Sequence, residues 1–264
     1  MRAPPGALDC GTTATSETVE NIMASRSVPS RALAQKVGED HGQTLTEQTL
    51  ERLREDIVAG KFRASEKLRV QELSARYGVG ASPLREALTH LAADGLVAMA
   101  SNRGFRVAPM SITDFQDVTE NRVRIETLAL ARSFEAGDDE WEAKLLGDYH
   151  RLRKLEATHK SNSELNDRDF EWERRHRQFH YALIAACPSQ WLLHFDRLLV
   201  FQFDRYRRLV ILRAGTTRTG RQQEAALVDA ALARKADKAV QILRAHIEES
   251  AAVILRQLKD RLPV

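Results

Sequence analysis

His176 and His180 stand four residues apart in a helical stretch, so their imidazoles project from one face, about 6 Å apart at Cβ. That spacing offers two nitrogen donors to one cation. His246 lies among Val240, Leu243, Ile247 and Ile254, on an apolar stripe that must face a core. A ring buried there needs a partner, because an unpaired polar group costs about 1–3 kcal/mol. Glu224 can supply one, either through a shared metal or as a plain buried hydrogen bond to His246. Glu173, one turn before His176, is a substitute acidic ligand.

A second chemistry is offered by Val79 to Gly95, VGASPLREALTHLAADG. Ser82-Pro83 opens a helix there, since Ser favours the cap and Pro the first turn. Leu84, Leu88 and Leu91 share its inward face. Gly80, Ala81, Ser82 and Arg85 are left at the outward N-terminal end, where a helix lying in the DNA major groove reaches bases. An Arg fork at that point matches two guanine acceptors or a phosphate.

The surrounding elements fit that use. Leu50, Leu53, Ile57 and Val58 recur at helical spacing until Gly60, and Leu68 to Tyr77 predicts a second short helix ending at Gly78. Leu96 to Met99 and Phe105 to Val107 read as two strands joined through Ser101-Asn102-Arg103-Gly104. Arg103 suits a phosphate or minor-groove contact, and Gly104 lets the backbone come close. Arg69 and Thr89 are further candidates for backbone contact.

From Ser111-Ile112-Thr113-Asp114 onward the chain reads as helical, with segments at about 112–136, 139–159, 164–186, 189–213, 219–234 and 236–260. The expected fold is mainly α. Residues 1–43, rich in Ser, Thr, Ala and Pro, read as a disordered tail. Residues 44–110 form a winged helix-turn-helix of three helices plus a hairpin wing, and 111–264 an all-α six-helix bundle.

Composition narrows the function classes. The chain has 264 residues, 43% hydrophobic and 29% charged, with a net charge of +3, so the distribution of charge matters more than its sum. Cys10 and Cys187 form no metal-type pair, and a reduced, cytoplasmic setting is the simplest reading. The N-terminus lacks a secretory apolar run, no stretch approaches a membrane span of about 18 apolar residues, and no Gly-rich phosphate loop occurs.

The runs LERLREDIVAGKF, LRVQELSARYGVGASPLREALTHLAADGLV and NRGFRV resemble the winged helix-turn-helix of GntR-type bacterial transcription regulators. Ala81 stands where the family usually carries Arg, which removes one phosphate or base contact. Ala64-Ser65 stands where it carries Pro-Gly. Arg122 with Ile125-Glu126, Phe179-His180, the Arg205-Tyr206-Arg207 run and Ala245-His246-Ile247 resemble the FCD effector domain of the FadR subfamily.

Many domains of that type hold a divalent metal through an Asp four residues before a His, with two further His on the last two helices. By resemblance His180 and His246 match, His176 takes the Asp position and Glu224 the remaining His position. Three His and one carboxylate still suit zinc or nickel. A metal with open positions would attract a small carboxylate effector, whose distal end Arg122 and Arg205 could hold. The other reading of both is an internal ion pair, with Glu126 as a partner for Arg122.

The function expected is a ligand-responsive, homodimeric regulator, commonly a repressor, binding double-stranded DNA at a palindromic operator in the bacterial cytoplasm, at the nucleoid. Two readings compete with it: a metal-dependent hydrolytic enzyme, and an architectural DNA-binding protein without a ligand. Against the enzyme, no separate general base stands at a suggestive spacing.

Overall fold

The computed structural model describes residues 44–100, 104–158, 167–210, 218–259 and 261–262. The expected tail over residues 1–43, the wing-bend residue Arg103 and the breaks at 161–163 and 215–217 lie outside the described residues.

The N-terminal half, expected to read DNA, begins with α1, Leu45–Val58. Thr44 caps it reciprocally: its side chain accepts from the Glu47 amide at 3.2 Å, and the Glu47 carboxylate accepts from the Thr44 amide at 2.8 Å. Gly60, at φ +72°, ends the run. Next come β1 (Lys67–Leu68), α2 (Val70–Tyr77) and α3 (Ala81–Ala93). Strands β2 (Val97–Ala100) and β3 (Gly104–Val107) complete a three-stranded antiparallel sheet in the order β1-β3-β2. Leu53, Ile57, Leu73, Leu84, Leu88, Leu91, Leu96, Phe105 and Val107 form its core.

Two local expectations shift. The second helix starts at Val70, because Leu68 pairs with Phe105 as a strand residue. The third starts at Ala81 with Gly80 as its cap, so Ser82 sits inside the first turn and does not cap it. Ser65 adopts φ +63°, where glycine costs nothing and any L side chain is strained. That is the position at which the resembling family carries Gly.

The helical half comprises α4 (Ile112–Ala136), α5 (Asp139–Thr158), α6 (Asp167–Ile184), α7 (Gln190–Val210), α8 (Arg218–Leu232) and α9 (Ala236–Leu258). Ser111 caps α4 by accepting from the Asp114 amide at 3.1 Å. Helix α4 packs on α7 and α9, α5 on α6, and α8 on α9. One core cluster includes Leu130, Leu145, Phe179, Leu227 and Leu243, and another Phe115, Phe203, Tyr206 and Ile254. The first of these clusters surrounds the place where α6, α8 and α9 deliver their polar residues.

Candidate metal centre and nucleic-acid interface

Helix α6 sets His176 and His180 one turn apart, with ring centroids 4.7 Å from each other. Helix α9 brings in His246, 5.3 Å from His180 and 6.1 Å from His176. One ligand atom from each of the three lies within 4.8 Å of the others. All three side chains are buried, and so is Glu224 from α8. Glu224 Oε1 comes within 3.3 Å of His176 Nε2, outside hydrogen-bonding geometry. Among the described residues, both Glu224 oxygens, His176 Nε2 and His180 Nε2 find no hydrogen-bond partner although buried. Orphaned groups of this kind are costly, and a cation at their common focus would satisfy them together.

The outer contacts orient the rings. His180 Nδ1 lies 2.7 Å from Glu126 Oε1, and His246 Nδ1 lies 3.1 Å from Gln223 Oε1. Both oxygens can only accept, so each Nδ1 carries a proton and each Nε2 is turned toward the interior of the cluster. The Gln223 contact replaces the plain His246–Glu224 bond considered from sequence. His176 is the odd member. Its Nδ1 faces Arg207 Nη1 at 3.5 Å, and an Arg nitrogen can only donate, so the proton sits on Nε2. For His176 Nε2 to become a ligand, that proton must cross to Nδ1 and Arg207 must give way.

Burial shapes the charges. It holds His246 down at about 3, helped by His180 and Arg122, and holds His176 well below the ordinary imidazole range, helped by His180 and Arg207. Burial, with Glu156 nearby, raises the Glu224 carboxyl to about 8. Burial also works to raise Glu126, but Arg122 and His180 overcome it and bring that carboxyl to about 2. Asp196, buried beside Glu126, is pushed well above the usual carboxylate range, and its Oδ1 has no partner. His176 and His246 are thus held neutral, and the Glu224 carboxyl holds its proton well above the usual carboxylate range.

The two arginines expected to hold an effector are placed differently. Arg122 is buried, bonds Glu126 through Nε at 2.8 Å and lies 4.5 Å from the Phe203 ring centroid. The internal ion pair is therefore formed, close to His180. Arg205 is not brought to the histidines. Its Nη1 donates to Gln202 Oε1 and its Nη2 to the Ala108 carbonyl, each at 2.7 Å, because this face of α7 turns toward the wing. Arg207, two residues on, is the arginine that reaches His176. It is buried, lies over Trp172 at 5.5 Å and has Nη2 3.0 Å from Asp204 Oδ1. Its Nε and Nη2 have no hydrogen-bond acceptor. Trp172 in turn stacks on His176 at 4.8 Å. Helical phase from the apolar Val200 and Phe203 would have separated Arg207 from Arg205 in the sequence. Glu173 is not free for a metal, since its Oε2 lies 3.0 Å from Arg208 Nη2.

On the DNA-reader half, α3 shows one open face. Ser82, Arg85, Glu86, Thr89 and His90 are exposed, while Leu84, Ala87, Leu88 and Leu91 are buried. Thr89 Oγ1 donates to the Arg85 carbonyl at 2.9 Å, so its hydroxyl is partly committed within the helix. Arg69 is exposed at the start of α2 and bonds Glu72 at 2.6 Å. Gly104 opens β3 at φ +131°, a conformation suited to glycine. Two cations escaped the sequence reading. Lys67 and Arg106 face each other across β1 and β3, both exposed. The alternation of buried Phe105, exposed Arg106 and buried Val107 was the available signal.

Comparison with known proteins agrees with this division. Residues 45–107 match the family model of bacterial regulatory proteins of the gntR family, and residues 117–249 match the FCD domain. The HTH-type transcriptional regulator BphR of Paraburkholderia xenovorans LB400 is 42% identical, over 80% of this chain and 85% of its own length. The HTH-type transcriptional repressor GlaR of Escherichia coli K12 is 37% identical, over 74% of this chain and 89% of its own. In fold the chain is similar to E. coli McbR/YncC, with a TM-score of 0.69 at 19% identity, over 82% of this chain and 99% of that one. It is also similar to a GntR regulator from Rhodococcus sp. RHA1, with a TM-score of 0.63 at 22% identity, over 80% and 97%.

Proposed function

The chain belongs to the GntR family of DNA-binding transcription regulators, with an FCD domain behind its DNA reader, and from that premise we propose that it is a metal-dependent sensor of a small organic acid. The observation that carries this reading is the focus of orphaned buried atoms: His176 Nε2, His180 Nε2 and both oxygens of Glu224. His176, His180, His246 and Glu224 would hold a divalent cation, zinc or nickel by the chemistry of the donors. When bound, the cation supplies open coordination positions to a carboxylate. Glu126 and Gln223 orient the imidazoles. Arg207, whose Nη1 lies 3.5 Å from His176 Nδ1, takes the anchoring role that sequence assigned to Arg205, and Arg122 contributes positive charge from behind Glu126.

Ser82, Arg85 and Thr89 from α3 meet base edges or phosphates, with Arg69 and Gly104 at the flanks; Arg103 keeps the phosphate role read from sequence, outside the described residues. Two copies would read the halves of a palindromic operator as a homodimer. Repression is the expected sign, in keeping with the printed name of the E. coli relative. The effector acts by binding one arrangement of the DNA readers better than the other.

The test joins metal analysis of the purified chain with a thermal-shift screen of small carboxylates, with and without chelator. A carboxylate that raises the Tm only when metal is present is the expected result. Replacing His180 and His246 together by Ala should abolish that shift and leave basal DNA binding largely intact. A full shift in the double variant would refute the site.

A further inference from the structure

Helix α7 touches the histidine cluster on one side and the DNA reader on the other. Residues 202 and 207 lie about 140° apart around a helix, and 205 and 207 about 160°. On the first side Arg207 reaches His176. On the second, Gln202 Nε2 donates to the carbonyl of Asp94 at 3.2 Å, and Asp94 is the residue that ends α3. Helix and reader approach closely here: a Cβ on Gly95 would meet Gln202 Nε2 at 3.2 Å. Arg205 holds Gln202 Oε1 with one nitrogen and the Ala108 carbonyl, just past β3, with another. One side-chain pair thus grips both the end of the recognition helix and the exit of the wing.

The surroundings complete the grip. Phe201 packs against the core of the DNA reader, under Arg54 at 5.3 Å and Arg177 at 5.4 Å. Arg54 also bonds the Asp94 carboxylate at 2.8 Å. A carbonyl at the end of a helix has lost its intrahelical donor, so a side-chain amide supplied by another domain fixes that end in space. Both contacts are made from one continuous helix, so a shift imposed at Arg207 reaches them without a flexible joint.

We propose that α7 is the transmission element of this regulator, and that Gln202 and Arg205 are positioning residues that clamp the recognition helix and the wing to it. The input at Arg207 rests on the metal and carboxylate reading given above; the clamp itself does not. Arg207 Nη1 lies 3.5 Å from His176 Nδ1, so a cation held by His176 would move the guanidinium, and α7 would carry that movement to Asp94 and Ala108.

The experiment uses the full chain and the variant Gln202→Glu/Arg205→Met, which keeps side-chain bulk but removes the donors to both carbonyls. Amide exchange should rise about tenfold over residues 91–97 and 107–110 and stay unchanged in α8 and α9. With Zn2+ as probe, calorimetry should show the same uptake in both proteins. Anisotropy on DNA selected by the wild-type chain from a random pool should show at least about a fivefold response to Zn2+ in the wild type and none in the variant. Gln202→Glu alone serves if the double variant does not fold.

Unchanged exchange over both segments overturns the clamp. A wild-type Zn2+ response in the variant, or Zn2+ uptake by the wild type with no effect on DNA affinity, overturns the transmission. Failure of the wild type to take up Zn2+ refutes the metal reading instead, and the exchange measurement still decides the clamp.

Discussion

The two halves of this molecule handle charge in opposite ways. The DNA reader buries leucines and turns Ser82, Arg85 and Thr89 outward, so its candidate contact residues stand outside its core. The helical half buries Arg122, Glu126, His176, His180, Glu224 and His246 together, so its working residues are part of its core. Function in the first half is separable from folding. In the second, buried polar groups lean on one another, as Glu126 does on Arg122 and His180, and the orphaned atoms of Glu224 and the histidines are where the proposed cation would sit.

The largest break of that contrast is Glu126→Ala. It strands Arg122 in the interior and frees the ring of His180, so we expect a loss of about 3–5 kcal/mol in chemical denaturation. Metal affinity should fall about 10–100-fold in a competition titration with a chelator. By contrast, Arg85→Ala should weaken DNA binding by about 1–3 kcal/mol while shifting stability by less than about 0.5 kcal/mol. A large loss of stability from Arg85→Ala would erase the distinction between the halves.

The pH dependence sharpens it further. The Glu224 carboxyl is raised to about 8. In the metal-free chain its contribution is fully present below its ordinary value of 4.5 and is lost as pH rises through about 8. Denaturation at pH 8 and above should therefore find Glu224→Gln more stable than the metal-free wild type. The order should reverse with excess Zn2+, which takes the ionised carboxylate. His246, held down at about 3, acts the other way: its contribution is lost as pH falls from 6.5 through about 3.

Smaller effects belong to the reader. Lys67→Ala should lower the slope of log Kd against log salt by about 1 if it neutralises a phosphate. Ser65→Gly relieves the left-handed backbone at φ +63° and should raise Tm, with a gain of about 1 kcal/mol.

Much of this architecture was legible from local pattern. Apolar spacing placed all six C-terminal helices within a few residues, and the gathering of His176, His180, His246 and Glu224 followed from resemblance together with helical face. The misreadings share one cause. Leu68 has the composition of a helix residue and becomes a strand residue because β3 offers it hydrogen bonds. Arg205 and Arg207 differ in helical phase, and the packing of α7 between two partners puts Arg207 at the histidines and Arg205 at the wing. Gln223, beside a better-known candidate, gave no signal at all.

The sequence by itself determined the order of elements, the inward faces of the helices and the family, because periodicity and turn chemistry are properties of a few neighbouring residues. Tertiary structure alone decided which donor meets which acceptor: Glu126 with His180, Gln223 with His246, Arg207 with His176, and Gln202 with the end of the recognition helix. Those pairings join residues 23 to 108 positions apart, and the phase of one helix against another is set by how whole faces pack.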